Sequence, residues 1–239
     1  MVVLGHSGAT GFNSDSTMQR TDAKQNSWAT GDNPAVDSIY TRLLALNPEV
    51  RGHNANVAVD NTGVNDLEGQ ADQALAIRPL PDLFLIETVD NDLHCDGTDA
   101  QNIPPFTATL EDVLHKISTG APTATIMIAS SPWSTSQAYF NVAQQQPGAR
   151  TANTGSGICD LFSPAGEPVP ANLNTLEQIT EEYLAALQSA CGQFPTCRYD
   201  NGALHRLEVT TGDVTSDGFH LTVSGQEKVA ALEWSALAL

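Results

Sequence analysis

The sequence predicts an α/β domain, with a parallel sheet in the middle and helices packed on both of its faces. Three observations carry this expectation. Short apolar runs that suit buried strands alternate along the chain with segments whose apolar residues recur at helical spacing. Two of those runs, Asp82–Ile86 and Thr125–Ala129, are apolar at nearly every position, as in strands covered on both sides. No shift in composition divides the 239 residues, so residues 1–239 read as a single domain.

The elements follow in order. Val2–Leu4 is the first strand. Asn33-Pro34 opens a helix, with Asn as cap and Pro at the first position, and Val36, Ile39, Tyr40, Leu43 and Leu44 share one face. Asn47-Pro48 closes it. Val57–Val59 is the second strand, and Val64, Leu67, Ala71 and Leu75 give the next helix its stripe. The run ending at Ile86 is the third strand. Leu110, Val113, Leu114 and Ile117 mark a helix before the fourth strand, Thr125–Ala129. Leu176, Ile179, Tyr183, Leu187 and Ala190 mark a long helix, and Cys197–Tyr199 reads as a fifth strand. Ser224-Gly225-Gln226-Glu227 is a capping box for a terminal helix through Val229, Leu232 and Leu237. Residues 8–32 and 130–171 read as long irregular stretches, which in a compact domain usually carry function.

Composition excludes several roles. With 28 acidic and 10 basic residues the formal net charge is −18, and the only lysines are Lys24, Lys116 and Lys228. A nucleic-acid backbone or an anionic membrane surface needs clustered cations, and there are none. No apolar run approaches the ~18 residues of a membrane span. Four cysteines without a C-x-x-C pair, few lysines and an acidic surface point to an exported protein with two disulfides. Met1 leads straight into an apolar strand, so a leader is expected to be absent from this chain.

Ligands of parallel sheets bind beyond the carboxyl ends of the strands. Gly5-His6-Ser7-Gly8 follows the first strand and places a serine at a glycine-flanked turn. Asp60-Asn61-Thr62-Gly63 follows the second, and Gly63 offers a backbone N–H. Val89-Asp90-Asn91-Asp92 follows the third, where the Asn91 amide can aim at an oxyanion. Ser216-Asp217-Gly218-Phe219-His220 precedes the terminal helix, and Asp217 is spaced to hold one nitrogen of His220 while the other faces a nucleophile.

These four segments resemble the blocks of the SGNH hydrolases, the GDSL esterase/lipase family, over nearly the whole chain. The family's Gly-Asp-Ser corresponds to Gly5-His6-Ser7, its block-two glycine to Gly63, its Gly-x-Asn-Asp to Val89-Asp90-Asn91-Asp92, and its Asp-x-x-His to Asp217-Gly218-Phe219-His220. The late Cys-rich segment before a Tyr-Asp strand is similar to the exported actinobacterial branch. The resemblance implies a flavodoxin-like three-layer α/β/α fold around a five-stranded parallel sheet. It also implies a serine esterase or lipase with Ser7 as nucleophile, His220 as base and Asp217 as its orienter. The oxyanion donors would be the N–H groups of Ser7 and Gly63 and the Asn91 amide. Two positions depart from the pattern: His6 stands where the family has Asp, and Val89 where it has Gly. An α/β-hydrolase elbow of Gly-x-Ser-x-Gly type would lie well inside the chain, whereas only four residues precede Gly5.

The expected substrate is a small-molecule, lipid or glycan ester, cleaved without metal or organic cofactor by a monomer. His6, Trp28 and Trp133 are candidate substrate contacts. Two alternatives share the site: a carbohydrate O-deacetylase or phospholipase, and a catalytically silent glycan- or acyl-binding module. His53, His94, His115 and His205 lack ligand-like spacing. Among the cysteines, Cys191 and Cys197 bracket a Gly- and Pro-containing turn and are expected to pair, leaving Cys95 for Cys159.

Overall fold

The computed structural model describes residues 1–155 and 157–237. Its centre is a five-stranded, all-parallel sheet in the order β2-β1-β3-β4-β5. The strands are β1 (Val2–Gly5), β2 (Ala55–Asn56), β3 (Leu83–Glu87), β4 (Thr125–Ala129) and β5 (Cys197–Tyr199). The helices are α1 (Ser7–Thr10), α2 (Ile39–Leu46), α3 (Leu67–Leu75), α4 (Asp99–Gly120), α5 (Gln137–Ala143), α6 (Pro147–Ala152), α7 (Pro170–Cys191) and α8 (Val223–Leu237).

Strand side chains alternate between two cores. Val3, Leu85 and Met127 face one, with Ile39 of α2 and Val229 of α8. Val2, Leu4, Phe84, Ile86, Ile126 and Ile128 face the other, with Leu67 of α3, Leu110 and Leu114 of α4, and Tyr183 and Leu187 of α7. This is why β3 and β4 read as unbroken apolar runs. The winding reverses between β1 and β3, so the crevice beyond their carboxyl ends is where the fold places a ligand.

Four local expectations are corrected. Asn33-Pro34 does not open α2. The Asn33 side chain accepts the Ala35 N–H within a turn, Asp37 takes a left-handed φ of 48°, and Ser38 caps the helix by accepting the Thr41 N–H. The second strand starts earlier than Val57: Ala55–Asn56 pairs with Val2–Val3, and Val57 and Val59 continue by donating to the Val3 and Gly5 carbonyls. The segment 130–171 contains α5 and α6 rather than being irregular throughout. Ser224 lies inside α8, where its hydroxyl bonds Asp213, and it is Thr222 that accepts the Gly225 and Gln226 N–H groups.

Disulfides join Cys95 to Cys159 and Cys191 to Cys197. α8 also carries a fully buried carboxyl, Glu233, beside Asp200. Asp200 is saturated by the Ser130, Gly202 and Leu204 N–H groups and the Ser130 hydroxyl. Burial pushes Glu233 well above the ordinary carboxyl range, and the neighbouring Asp200 adds to it, so Glu233 is held neutral.

Candidate active site

β1 ends in Gly5, and the chain turns at once into the short α1. A side chain at position 5 would meet the Glu87 carbonyl at 2.3 Å, so only glycine lets β1 and β3 stay paired up to the turn. Ser7 is the first residue of α1 and is buried. Among the described residues its N–H has no acceptor. Gly8 packs directly on a carboxylate: a Cβ there would lie 2.1 Å from Glu87 Oε1.

The loop before α8 brings Asp217 and His220 together. His220 Nδ1 lies 2.8 Å from Asp217 Oδ2. The same carboxylate accepts from Asn13 Nδ2 at 2.6 Å, Thr215 Oγ1 at 2.6 Å, and the Phe219 and His220 N–H groups at 2.8 and 3.0 Å. Burial works against its charge, but these hydrogen bonds, led by His220 and Thr215, outweigh it and hold Asp217 well below the usual carboxylate range. An ionised Asp217 fixes the proton on Nδ1 and leaves Nε2 as an acceptor, the tautomer a general base requires. Phe12 and Phe219 flank the imidazole, with ring centroids 4.6 and 5.2 Å away.

Ser7 and His220 line the same cavity of about 20 Å³, together with His6, Phe12, Trp28, Trp133, Phe219 and neighbouring groups. No hydrogen bond joins Ser7 Oγ to His220. Gln226 of α8 ties the two ends of the chain together here: its side chain accepts the Trp28 N–H and donates to the Gly8 carbonyl. A larger cavity, about 720 Å³, opens at the opposite end of the strands around Met1, Ala55, Leu83 and Thr125. Its lining has no nucleophile paired to a base.

Gly63 and Asn91 do not line the Ser7 cavity. The Gly63 N–H donates to Asp66 Oδ2 at 3.0 Å, and Asn91 Nδ2 donates to the Thr62 carbonyl at 2.9 Å. Both loops nevertheless sit beside the nucleophile turn, because Thr62 Oγ1 donates to the Gly5 carbonyl. Asp92 joins them by accepting the Val64 N–H at 2.9 Å and the Val89 N–H at 3.2 Å. Val89 has a φ of 101°, a conformation that suits the glycine it replaces and strains a β-branched residue.

His6 and Trp28 are both buried. The Trp28 indole N–H donates to Glu87 Oε2 at 2.8 Å. His6 Nδ1 accepts the Gly8 N–H at 3.2 Å, capping α1, and Nε2 lies 3.0 Å from Asp90 Oδ2 without the alignment of a regular hydrogen bond. Burial disfavours a charged His6, but Asp90, then Glu87 and Asp92, outweigh it and raise it to about 9. Burial is also the main cause raising Glu87.

His6, Glu87 and Asp90 bring an imidazole and two carboxylates within 4.8 Å of one another, a spacing that a cation would accept. The ring argues against it. Neutral with Nδ1 accepting from Gly8, or protonated on both nitrogens, the ring carries a proton on Nε2, so the atom facing Asp90 is a donor and not a free lone pair.

Sequence reading missed Glu87, Asn13, Thr215 and Gln226. Glu87 ends β3 one residue beyond the run read as the third strand, and no motif marks it. Asn13 and Thr215 sit in polar loops where nothing distinguishes them. Gln226 looked like part of a helix cap.

Residues 1–232 match the family described as GDSL-like lipase/acylhydrolase. The chain belongs to this family. No curated protein matches it. Among solved structures it is similar to an extracellular lipase from Streptomyces rimosus, with a TM-score of 0.57, 15% identity and 98% of each chain covered. It is also similar to phospholipase A1 from Streptomyces albidoflavus, with a TM-score of 0.55, 14% identity and 98% of each chain covered. A psychrotrophic esterase from Pseudoalteromonas gives a TM-score of 0.54 at 10% identity, covering 99% of this chain and 96% of that one. At these identities the likeness is one of fold. Among the described residues no helix is long and apolar enough to cross a membrane.

Proposed function

We propose that this GDSL-family chain is an exported serine hydrolase of short-chain carboxylic esters. The observation that carries the reading is the 2.8 Å contact between His220 and Asp217 at the cavity that Ser7 also lines. His220 takes the Ser7 proton, Ser7 Oγ attacks the ester carbonyl, and the alcohol leaves with the proton returned by His220. Water, activated by the same imidazole, then releases the acid from the acyl-enzyme.

The free Ser7 N–H supports its place as an oxyanion donor. Asn91 has a second amide hydrogen, which serves as a donor only if the side chain turns it toward Ser7. Gly63 joins them only if its N–H is released from Asp66. At about 20 Å³ the cavity has room for little more than one water and offers no preformed tunnel for a fatty chain. The two disulfides support export.

The test is a panel of nitrophenyl esters from acetate to palmitate, run beside a fluorophosphonate probe and peptide mapping. The expected result is labelling at Ser7, activity highest on the shortest chains, and a folded, inert Ser7→Ala variant. Labelling of another serine, or turnover by Ser7→Ala, refutes the assignment. A maximum at long chains points instead to a lipase or to the phospholipase alternative.

A further inference from the structure

His6 is the residue of the nucleophile turn with the most unusual surroundings. It is buried, it caps α1 through Nδ1, and its other nitrogen reaches Asp90 in the loop after β3. Asp90 in turn accepts a hydrogen bond from the Ser131 hydroxyl in the loop after β4. One imidazole therefore spans the loops that follow β1 and β3, and through Asp90 the loop after β4 that carries Trp133. The two ends of the ring make different demands. The bond from the Gly8 N–H needs a bare Nδ1. The contact with Asp90 needs only a proton on Nε2, which both the neutral ring and the cation supply. The Asp90 link is thus common to both protonation states, whereas the Gly8 cap belongs to the neutral one and strengthens as pH rises toward about 9.

We propose that His6 is a positioning residue that couples Ser7 to the Asn91 loop, by capping the nucleophile turn with one nitrogen and engaging Asp90 with the other. An aspartate in this position, as the family carries, caps a turn with its own carboxylate but cannot reach a second carboxylate. Here the Asp90 carboxylate lies one residue before Asn91, so holding it fixes the backbone of the proposed oxyanion loop. The same reach explains why a histidine is suited to this chain. With Glu87, Asp90 and Asp92 close by, an aspartate at position 6 would add a further carboxylate to a buried acidic pocket. The inference rests on the proposed esterase reading for its kinetic consequences, but the ring contacts themselves do not depend on it.

Two substitutions separate the ends of the ring. His6→Asn keeps an acceptor near the Nδ1 position and can cap Gly8, but it is too short to reach Asp90. Asp90→Asn removes the charge at the other end and leaves the cap. Expected for both is a fall in kcat of roughly 10- to 100-fold, the effect of a misplacement of about an ångström, with KM within about twofold and the thermal midpoint little changed.

The pH profile supplies a readout that a merely structural role would not move. The charged groups facing His6 are Glu87 at the end of β3 and Asp90 and Asp92 in the loop after it. A limb that the His6 ring contributes to the wild-type profile should vanish in His6→Asn and shift down in Asp90→Asn. The swap His6→Asp with Asp90→Gly restores a self-sufficient cap and should recover more activity than His6→Asp alone. Wild-type kcat and an unchanged pH profile in both His6→Asn and Asp90→Asn overturn the proposal.

Nitrogen-15 spectra of the wild-type ring test it even without turnover. A protonated Nε2 that responds to Asp90→Asn supports the link. A ring unaffected by that substitution refutes it. If the wild-type protein neither turns over esters nor is labelled at Ser7, the esterase reading fails, and the spectra still decide the fate of the link.

Discussion

Gly218→Ala tests how the loop that carries Asp217 and His220 is held. Gly218 lies between Asp217 and His220 with a φ of 77°, and a Cβ there would sit 2.2 Å from both N and Cα of Ala149 in α6 and 2.6 Å from its Cβ. Two costs add. Alanine in the left-handed region loses about 1–2 kcal/mol. Overpacking against a neighbour that cannot swing aside costs roughly 1–3 kcal/mol. The expected loss is therefore about 2–5 kcal/mol, read as a lower urea midpoint at unchanged m. To restore ordinary contact the loop or α6 must move by about an ångström, and a shift of that size at the base costs about 100-fold in kcat. Ala149→Gly should not rescue the variant, because the closest contacts are to main chain. A Gly218→Ala protein with the wild-type midpoint and activity within twofold would refute the reasoning.

Three further outcomes are expected. Asp217→Asn presents an amide to His220 Nδ1 and favours the wrong tautomer, so kcat should fall by about 10⁴-fold with the fold intact by circular dichroism. Replacing Cys95 and Cys159 with Ser opens a 64-residue loop and should cost about 4 kcal/mol, against about 2 kcal/mol for the six-residue Cys191–Cys197 loop, by urea unfolding. Burial raises the pKa of Glu233 in the fold; the stability this contributes is full below the ordinary carboxyl range and is lost as pH rises from there through the folded value. Glu233→Gln should therefore flatten the decline of the thermal midpoint on the alkaline side, and a slope equal to the wild type would contradict it.

Legibility in the sequence followed the strength of the local physical signal. β3 and β4 were plain because a strand covered on both faces admits almost nothing polar. The Ser7, Asp217 and His220 segments stood out because strand ends and an Asp-x-x-His spacing are local patterns. α4 was longer than its stripe suggested, since Pro104 and Pro105 lie inside its first turns and interrupt the helical signal. Asn33-Pro34 misled because the same Asn that caps a helix also closes an Asx turn. The His6–Asp90 contact joins residues 84 apart, and the bonds from Asn13 to Asp217 and from Gln226 to Gly8 span 204 and 218 residues. Such pairs leave no periodic trace. At His6 and Val89 the departures from the family pattern were visible, but that Asp90 answers the first of them emerges only when the sheet brings β1 and β3 together.

The span of those last contacts sets an order of events. Ser7 follows β1, while His220, the Asp217 carboxylate behind it and the glutamine that clasps Gly8 all lie more than 200 residues further along. A growing chain can lay down β1, β3 and β4 and still hold no base near Ser7. Closure of a loop of more than 200 residues is what brings His220 to Ser7, and contacts of that separation form late. On the proposed esterase reading, a partly made or partly unfolded chain is thus unreactive toward esters. The appearance of labelling at Ser7 during refolding would time the docking of α8, and with it the completion of the fold.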